Sequence, residues 1–386
     1  MEALVGKLCD GCKPGVWLAS ARRRTPVPAR IVRRARLSLQ PLLVVHEKIG
    51  RWIERHSREA WLWCGRSVQV LDGSGLSMPD TDANRARWPY AGGQKPGCGF
   101  PSAQMVALFC LGTGRLVRFA LDSWKAHEIP QARRLVNWID QTSVVLTDRG
   151  FCGWGFIALL QQKGADVVMR AHQARTLKGN RMKWKKPQRN KKAWDEALWS
   201  KLPDELSVRI VRFQISVPGL RTQKIVLITT LLDTKRYPDE MLQALYRRRW
   251  AIELYFRDIK TTLGLDVLRP ANHPNSLKKK STCRWVAYNL VRALMVEAAW
   301  THDVALERLS FKGTVDTLRQ WTPLLAPKMF AYKPARQELL RIIATDQVPN
   351  RPNRSEPRAR KRRPKPYPFL TKPRRKMIIS SSRRKK

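Results

Sequence analysis

Apolar positions recur along the chain with two different periods, and the switches between them divide it into segments. Over residues 31–63 the spacing of Leu39, Leu42, Leu43, Val45, Ile49, Trp52 and Ile53 is helical, with one face apolar and the rest polar. From residue 67 the texture shortens. Residues 67–72 (SVQVLD), 103–110 (AQMVALFC) and 116–121 (LVRFAL) read as three strands separated by turns, the last two joined across residues 112–114. A helical stretch over 128–139, a strand over 143–148 (SVVLTD), a helix over 155–162 and a strand over 166–170 follow. Strands that give way to helices and then to more strands predict a mixed sheet covered by helices, an α/β layer fold.

Residues 172–236 break that rhythm. A basic, tryptophan-bearing stretch precedes the alternating Val208, Ile210, Val211, Phe213 and Ile215, then a Pro218-Gly219 turn and another β-like run over 224–232. So long a stretch cannot be a structureless loop in a compact domain, which predicts a β-rich insertion. One long helix is expected over 239–263 and a second, mostly apolar, over 281–300. Residues 351–386 hold sixteen Lys and Arg against the single acid Glu356, with prolines throughout. Such a segment cannot offset its ordering entropy by burial and is expected to be a disordered basic tail. The expected organisation is therefore a helical N-terminal region (1–66), a core in two parts (67–171 and 237–345) around the insertion (172–236), and the tail (346–386).

Charge narrows the partner. Among 386 residues, 75 Lys and Arg face 30 Asp and Glu, a formal net charge of +45. That excess repels itself unless a polyanion is the usual company, so nucleic acid is the first hypothesis, with a generally basic proteome as its rival. The arginines at 22–24, 33, 34 and 36 suit docking on DNA, although a solvated helix face has the same spacing. No apolar run approaches the roughly 20 residues that span a bilayer, and the start of the chain lacks the order of a signal peptide. A soluble, cytoplasmic protein without a membrane partner is expected. Seven scattered cysteines suit a reducing compartment. The one close pair, Cys9-x-x-Cys12, has no second pair at zinc-site spacing and reads as free thiols.

The chemistry begins with Asp72 and Asp148, each placed at the end of an apolar strand and followed by glycine: V-L-Asp72-G-S-G and V-L-T-Asp148-R-G-F. Carboxylates exposed at a sheet edge stand where α/β folds put their sites, though Asp before Gly is also ordinary turn chemistry. On the long helix, Met241, Leu245, Ile252, Phe256, Ile259 and Leu263 fall within an arc of about 60° and form the expected buried stripe. Tyr246, Arg249, Glu253 and Lys260 form a second arc of about 60° beside it. A carboxylate on that border can reach the strand ends, and three carboxylates around one point suit Mg²⁺, a hard cation that takes oxygen ligands. The bland reading of the same face is a set of exposed i,i+4 ion pairs.

The spacing Tyr246-x-x-Arg249-x-x-x-Glu253-x-x-x-x-x-x-Lys260 matches, at every interval, the Tyr, Arg, Glu and Lys signature of the insertion-sequence-four family of DDE transposases, which the chain resembles over roughly residues 60–376. The surroundings of the two aspartates are similar too, as are Gln94-K-P-G-C-G-F-Pro101 and Leu309-S-F-K-G-Thr314. The resemblance implies an RNase H-like core and a triad, Asp72, Asp148 and Glu253, holding two Mg²⁺ ions, with Mn²⁺ able to substitute. It also implies a cut-and-paste reaction: nicking at the element's end, release of that end, and attack of the 3′-hydroxyl on target DNA. Partners would be double-stranded DNA, both terminal inverted repeats and target, and a second copy when two ends are paired, in a bacterial cytoplasm on nucleoid DNA. Tyr246, Arg249 and Lys260 would grip phosphates of the end. Trp184, with Trp194 and Trp199 as rivals, would provide an aromatic platform for a flipped base. The sequence departs from the family at Ser123-W-K-A-His127-E, where a Gly-rich turn is expected, and relatives often carry a longer segment before the first aspartate. Two other readings share parts of the pattern: a metal-dependent nuclease that does not join, and a DNA-binding regulator or inactive relic that occupies ends without cutting. The end-binding signature argues against the first, and the intact acids against the second.

Overall fold

The structure, a computed structural model, describes residues 38–90, 97–124, 127–175, 177–215, 223–266, 276–325, 333–349, 370, 372 and 373. Cys9, Cys12, the arginines at 22–36, the Pro218-Gly219 turn and most of the basic tail lie outside the described residues.

Eight strands form one sheet. They are β1 (Val68–Ser77), β2 (Ser102–Cys110), β3 (Leu116–Ser123), β4 (Val144–Thr147), β5 (Asp166–Arg170), β6 (Arg181–Lys185), β7 (Glu205–Ile215) and β8 (Gln223–Thr229), in the order β3-β2-β1-β4-β5-β8-β7-β6. The helices in chain order are α1 (Leu39–Arg55), α2 (Asp82–Arg87), α3 (Glu128–Leu135), α4 (Trp154–Gln162), α5 (Glu196–Ser200), α6 (Asp239–Arg248), α7 (Ala251–Arg257), α8 (Ser276–Thr301), α9 (Phe311–Leu325) and α10 (Lys333–Thr345). β1, β2 and β3 form an antiparallel meander, whereas β4 and β5 run parallel to β1. Parallel neighbours need crossovers, and α3 and α4 supply them. Three antiparallel strands continued by two parallel ones make the mixed sheet that the sequence pattern predicts, in the RNase H-like form that the resemblance implies. The strands of residues 172–236 do not form a layer of their own: β8 pairs antiparallel with β5 and carries β7 and β6 outward along the same sheet.

Successive side chains of a strand point to opposite faces, so each strand feeds two cores. Val70, Leu146, Val168 and Leu227 face one cluster together with Leu245, Ile252, Phe256 and Trp285 of α6, α7 and α8. Leu71, Val145, Val167 and Ile228 face the other, with residues of α3 and α4. α1 packs along α8 and sends Ile49, Trp52 and Ile53 into the first cluster. Asn289 of α8 ties that corner together, bonding both backbone groups of Leu116 at 2.9 Å and meeting His46 Nε2 at 3.1 Å.

Phe109 on β2 is the seat of the signature-bearing helix: its ring lies 5.4 Å from Tyr255, 5.6 Å from Phe256 and 6.0 Å from Tyr288. Phe109→Ala should cost about 3–5 kcal/mol, the usual toll of emptying a buried aromatic site. A urea midpoint unchanged from the parent would mean that α7 is seated by other contacts.

Two sequence expectations differ from the structure. β1 does not end at Asp72 but runs five residues further, because β2 continues to pair with it as far as Ser77↔Ser102. The single helix expected over 239–263 is three segments. Around residues 249–253 the backbone amides bond three residues back (Arg249 to Tyr246, Ile252 to Arg249, Glu253 to Trp250), which overwinds the turn between α6 and α7. Asp258–Thr262 is then a π-helical turn, which underwinds it.

Candidate active site

The split in the sheet positions the two aspartates. β1 and β4 pair in parallel up to Leu71↔Thr147, and the next residues in register are Asp72 and Asp148. Past that point β4 ends while β1 stays with β2, so both carboxylates stand at the fork, where no ladder covers them. Alternation puts Asp72 on the face of Val70 and Asp148 on that of Leu146, the face on which α6 and α7 lie. Each aspartate is held locally: Asp72 Oδ1 accepts from the Gly73 amide and Asp148 Oδ1 from the Gly150 amide, both at 2.8 Å.

The signature residues approach from above. Arg249 Nη1 donates to Asp72 Oδ2 at 3.1 Å, and its guanidinium lies 5.6 Å from the Tyr246 ring. Burial pushes the Asp72 carboxyl up to about 6; the Gly73 amide and Arg249 pull against the rise, and the charges of Asp148 and Glu253 add to it. Glu253 is solvent-exposed and lines a cavity of about 690 Å³ with Arg247, Arg248, Trp250 and Leu254. Lys260 Nζ donates to the Gly75 carbonyl at 2.7 Å and lies 3.9 Å from Asp266. Asp72 thus feels the charges of Asp148 and Glu253, yet among the described residues no three His, Cys, Asp or Glu side chains form a ready-made metal cage.

The polar arc expected on the helix is partly interior. Tyr246 is 2% exposed and Arg249 is 9% exposed. Met241, expected in the buried stripe, faces solvent, and Leu242 takes its place. The tightened turn after Arg248 departs from the 100° projection, and α6 is seated by Leu242, Leu245 and Tyr246.

Of the three tryptophans, Trp194 and Trp199 are buried in the second core, where they pack so closely on α4 that only glycine fits at position 155. Trp184 on β6 is half-buried, with the Arg175 guanidinium 4.7 Å from its ring. Arg175 opens in turn on a cavity of about 280 Å³ lined also by Arg149, Arg170, Arg212 and Lys224. None of the described residues lining that cavity is acidic.

Sequence reasoning missed Glu128. It opens α3 on the opposite face of the sheet, and Gln104 Nε2 donates to its Oε1. Burial raises its pKa, and the charges of Asp148 and Asp72 raise it further. An acid in the first turn of a helix is common, so the sequence held no sign of this placement. Trp250, half exposed between Arg249 and Glu253, was also missed.

The acidic side chains whose charges meet at Asp72 offer only carboxylate oxygens, the set a hard divalent cation prefers. The residues present therefore fit such a cation.

Transposase InsG for insertion sequence element IS4 of Escherichia coli (strain K12) is 26% identical over 335 residues, 80% of this chain and 71% of that protein. Among solved structures, the piggyBac transposase synaptic complex with hairpin DNA superposes with a TM-score of 0.42 at 10% identity, over 76% of this chain and 60% of that one. The family described as transposase DDE domain matches residues 63–290, a stretch that begins just before β1 and ends within α8. That stretch holds both aspartates of the fork and the whole helical signature, and the chain belongs to the DDE transposase family.

Proposed function

We propose that the chain is the transposase of an insertion sequence, cutting DNA at the element's ends and joining the freed 3′-hydroxyl to target DNA. The observation that carries this reading is the register of Asp72 and Asp148 at the fork, with Arg249 of the signature bonded to the first of them. Asp72, Asp148 and Glu253 would hold divalent cations, two Mg²⁺ ions in the working enzyme. Such ions, when bound, activate the attacking oxygen and stabilise the leaving one in an in-line phosphoryl transfer. Mg²⁺ keeps several waters and is ordinarily held by one or two carboxylates with substrate phosphate, so phosphate oxygens of the DNA would join these carboxylates as ligands.

The chain's own residues orient and neutralise. Arg249 fixes the rotamer of Asp72 and holds positive charge beside the scissile phosphate. Lys260, tied to the β1 carbonyl of Gly75, aims an ammonium at the backbone. Tyr246 backs the Arg249 guanidinium. Trp184 with Arg175, above the cationic cavity, offers a stacking face to an unpaired base. Two copies act on two paired ends, in the compartment that holds the nucleoid.

The direct test is nicking of a duplex carrying the element's terminal repeat, with Mg²⁺ supplied. Single-strand cuts leaving a 3′-hydroxyl at the repeat boundary support the proposal; occupancy of the repeat without cutting supports a regulator instead. Arg249→Ala separates two roles of one side chain. It is expected to weaken binding to cleaved ends and to reduce the slope of log affinity against log salt by about one phosphate's worth. An unchanged slope with lost cutting would mean that Arg249 serves Asp72 alone.

A further inference from the structure

The stretch Ser123-W-K-A-His127-E, where the sequence departs from the family, puts an aromatic ring at the far end of β1. Trp124 follows the last residue of β3, and its amide bonds the Ser102 carbonyl of β2. The indole lies on Gly75: a Cβ there would be 2.9 Å from Trp124 Cζ3, so glycine is what lets the ring settle on the strand. Trp124 is nonetheless 38% exposed, and Phe100, two residues before Ser102, is 57% exposed at the same end of the sheet. Lys260 reaches the same glycine, donating to its carbonyl at 2.7 Å. Alternation puts the ring on the face of Leu71, whereas Lys260 follows α7 on the face of Val70. Past Leu71↔Thr147 β1 has no partner in β4, so this edge of the fork carries an ammonium on one side and an indole on the other. Gly75 lies three residues beyond Asp72, about 10 Å at 3.3 Å per residue, or about three steps of a stacked nucleic-acid strand.

We propose that Trp124 is a stacking platform for an unpaired base of the DNA strand that leaves the fork along the open edge of β1, beside the phosphate that Lys260 holds. The inference rests on the reading that DNA is cut at this fork. An exposed indole by itself would suit a protein partner equally; the ammonium beside it and a net charge of +45 select a polyanion. Every base has a π-face, so the contact is indifferent to sequence and belongs with DNA outside the terminal repeat. Trp184 on β6 stands on the other side of β4, so the two rings serve strands running in opposite directions from the cut. The competing role for Trp124 is structural, as an apolar cover over the glycine of β1.

The test compares binding of the full chain to a blunt duplex and to the same duplex with a short single-stranded thymine overhang, by fluorescence anisotropy, for the parent, Trp124→Leu and Trp124→Phe. The parent is expected to prefer the overhang. Trp124→Leu keeps an apolar cover on Gly75 and should lose affinity for the overhang by about five- to a hundredfold, with blunt-duplex affinity and melting temperature unchanged. Trp124→Phe keeps a π-face and should retain most of the preference. Independently of any variant, 5-iodouracil placed in the overhang should photocrosslink the parent at Trp124. Equal affinity of the parent for the two duplexes, an undiminished preference in Trp124→Leu, or crosslinking at Trp184 without Trp124 would overturn the inference and leave the cutting site in place. A parent that binds neither duplex would overturn the underlying reading as well.

Discussion

Asp148→Asn is expected to leave a folded protein that holds DNA and has lost cation-dependent nicking by more than about a hundredfold, since even groups that only support metal ligands cost ten- to a hundredfold when removed. Asparagine has the shape of aspartate and retains an oxygen to accept from the Gly150 amide, so the loop after β4 keeps its bond. The substitution removes one negative charge from a point where Asp72 and Glu128 are both raised by that charge. Melting temperature should therefore hold or rise while cutting disappears. Gel-based nicking, a mobility-shift titration and a thermal melt on one preparation check the three parts. Cutting within tenfold of the parent would remove Asp148 from the cation site.

Acidification should destabilise the protein through His46, by about 3 kcal/mol between pH 6.5 and 4. Burial against α8, followed by the charges of Arg118 and Arg115, lowers the His46 pKa to about 4 from its ordinary 6.5, and a bond with the Leu116 backbone opposes them. In that window the unfolded chain takes up a proton that the folded one refuses, so stability falls as pH falls and is flat on either side. At about 1.4 kcal/mol per pH unit the difference amounts to the figure above. Asp72 and Asp258 act in the opposite sense, because burial raises each to about 6 and stability is gained as pH drops through that value. The contribution of His46 is read by difference: His46→Gln should lose less stability than the parent on going from pH 7 to 4. Parallel denaturation curves for the two proteins across that range would show that His46 stays uncharged in neither state or in both.

Much of this architecture is legible along the chain because burial writes itself as periodicity. The five core strands fall where alternating or continuous apolar runs predict them, and α4 and α8 lie where their apolar residues place them. The spacing of Tyr246, Arg249, Glu253 and Lys260 is also visible in the sequence, since it follows the turn of a helix. What the helical projection could not supply is the winding of that helix. Three-residue hydrogen bonds after Tyr246 and a π turn after Arg257 carry no sequence mark such as Pro or Gly, and neither does the burial of Tyr246 and Arg249. Similarly, alternation in residues 205–229 predicts strands but not their neighbours, and pairing with β5 rather than a separate layer is decided by which edge is open.

By itself the sequence determined the α/β class, the basic character, and two glycine-flanked aspartates upstream of a helix bearing Glu253, because these are properties of residue type and local period. Only the tertiary structure decided that Asp72 and Asp148 are successors in one parallel register and that Arg249 is bonded to the first. It alone brought Glu128 through the gap left by Gly73 from the far side of the sheet. Those facts depend on contacts between residues 24 to 177 positions apart, and no local pattern encodes a distance in space.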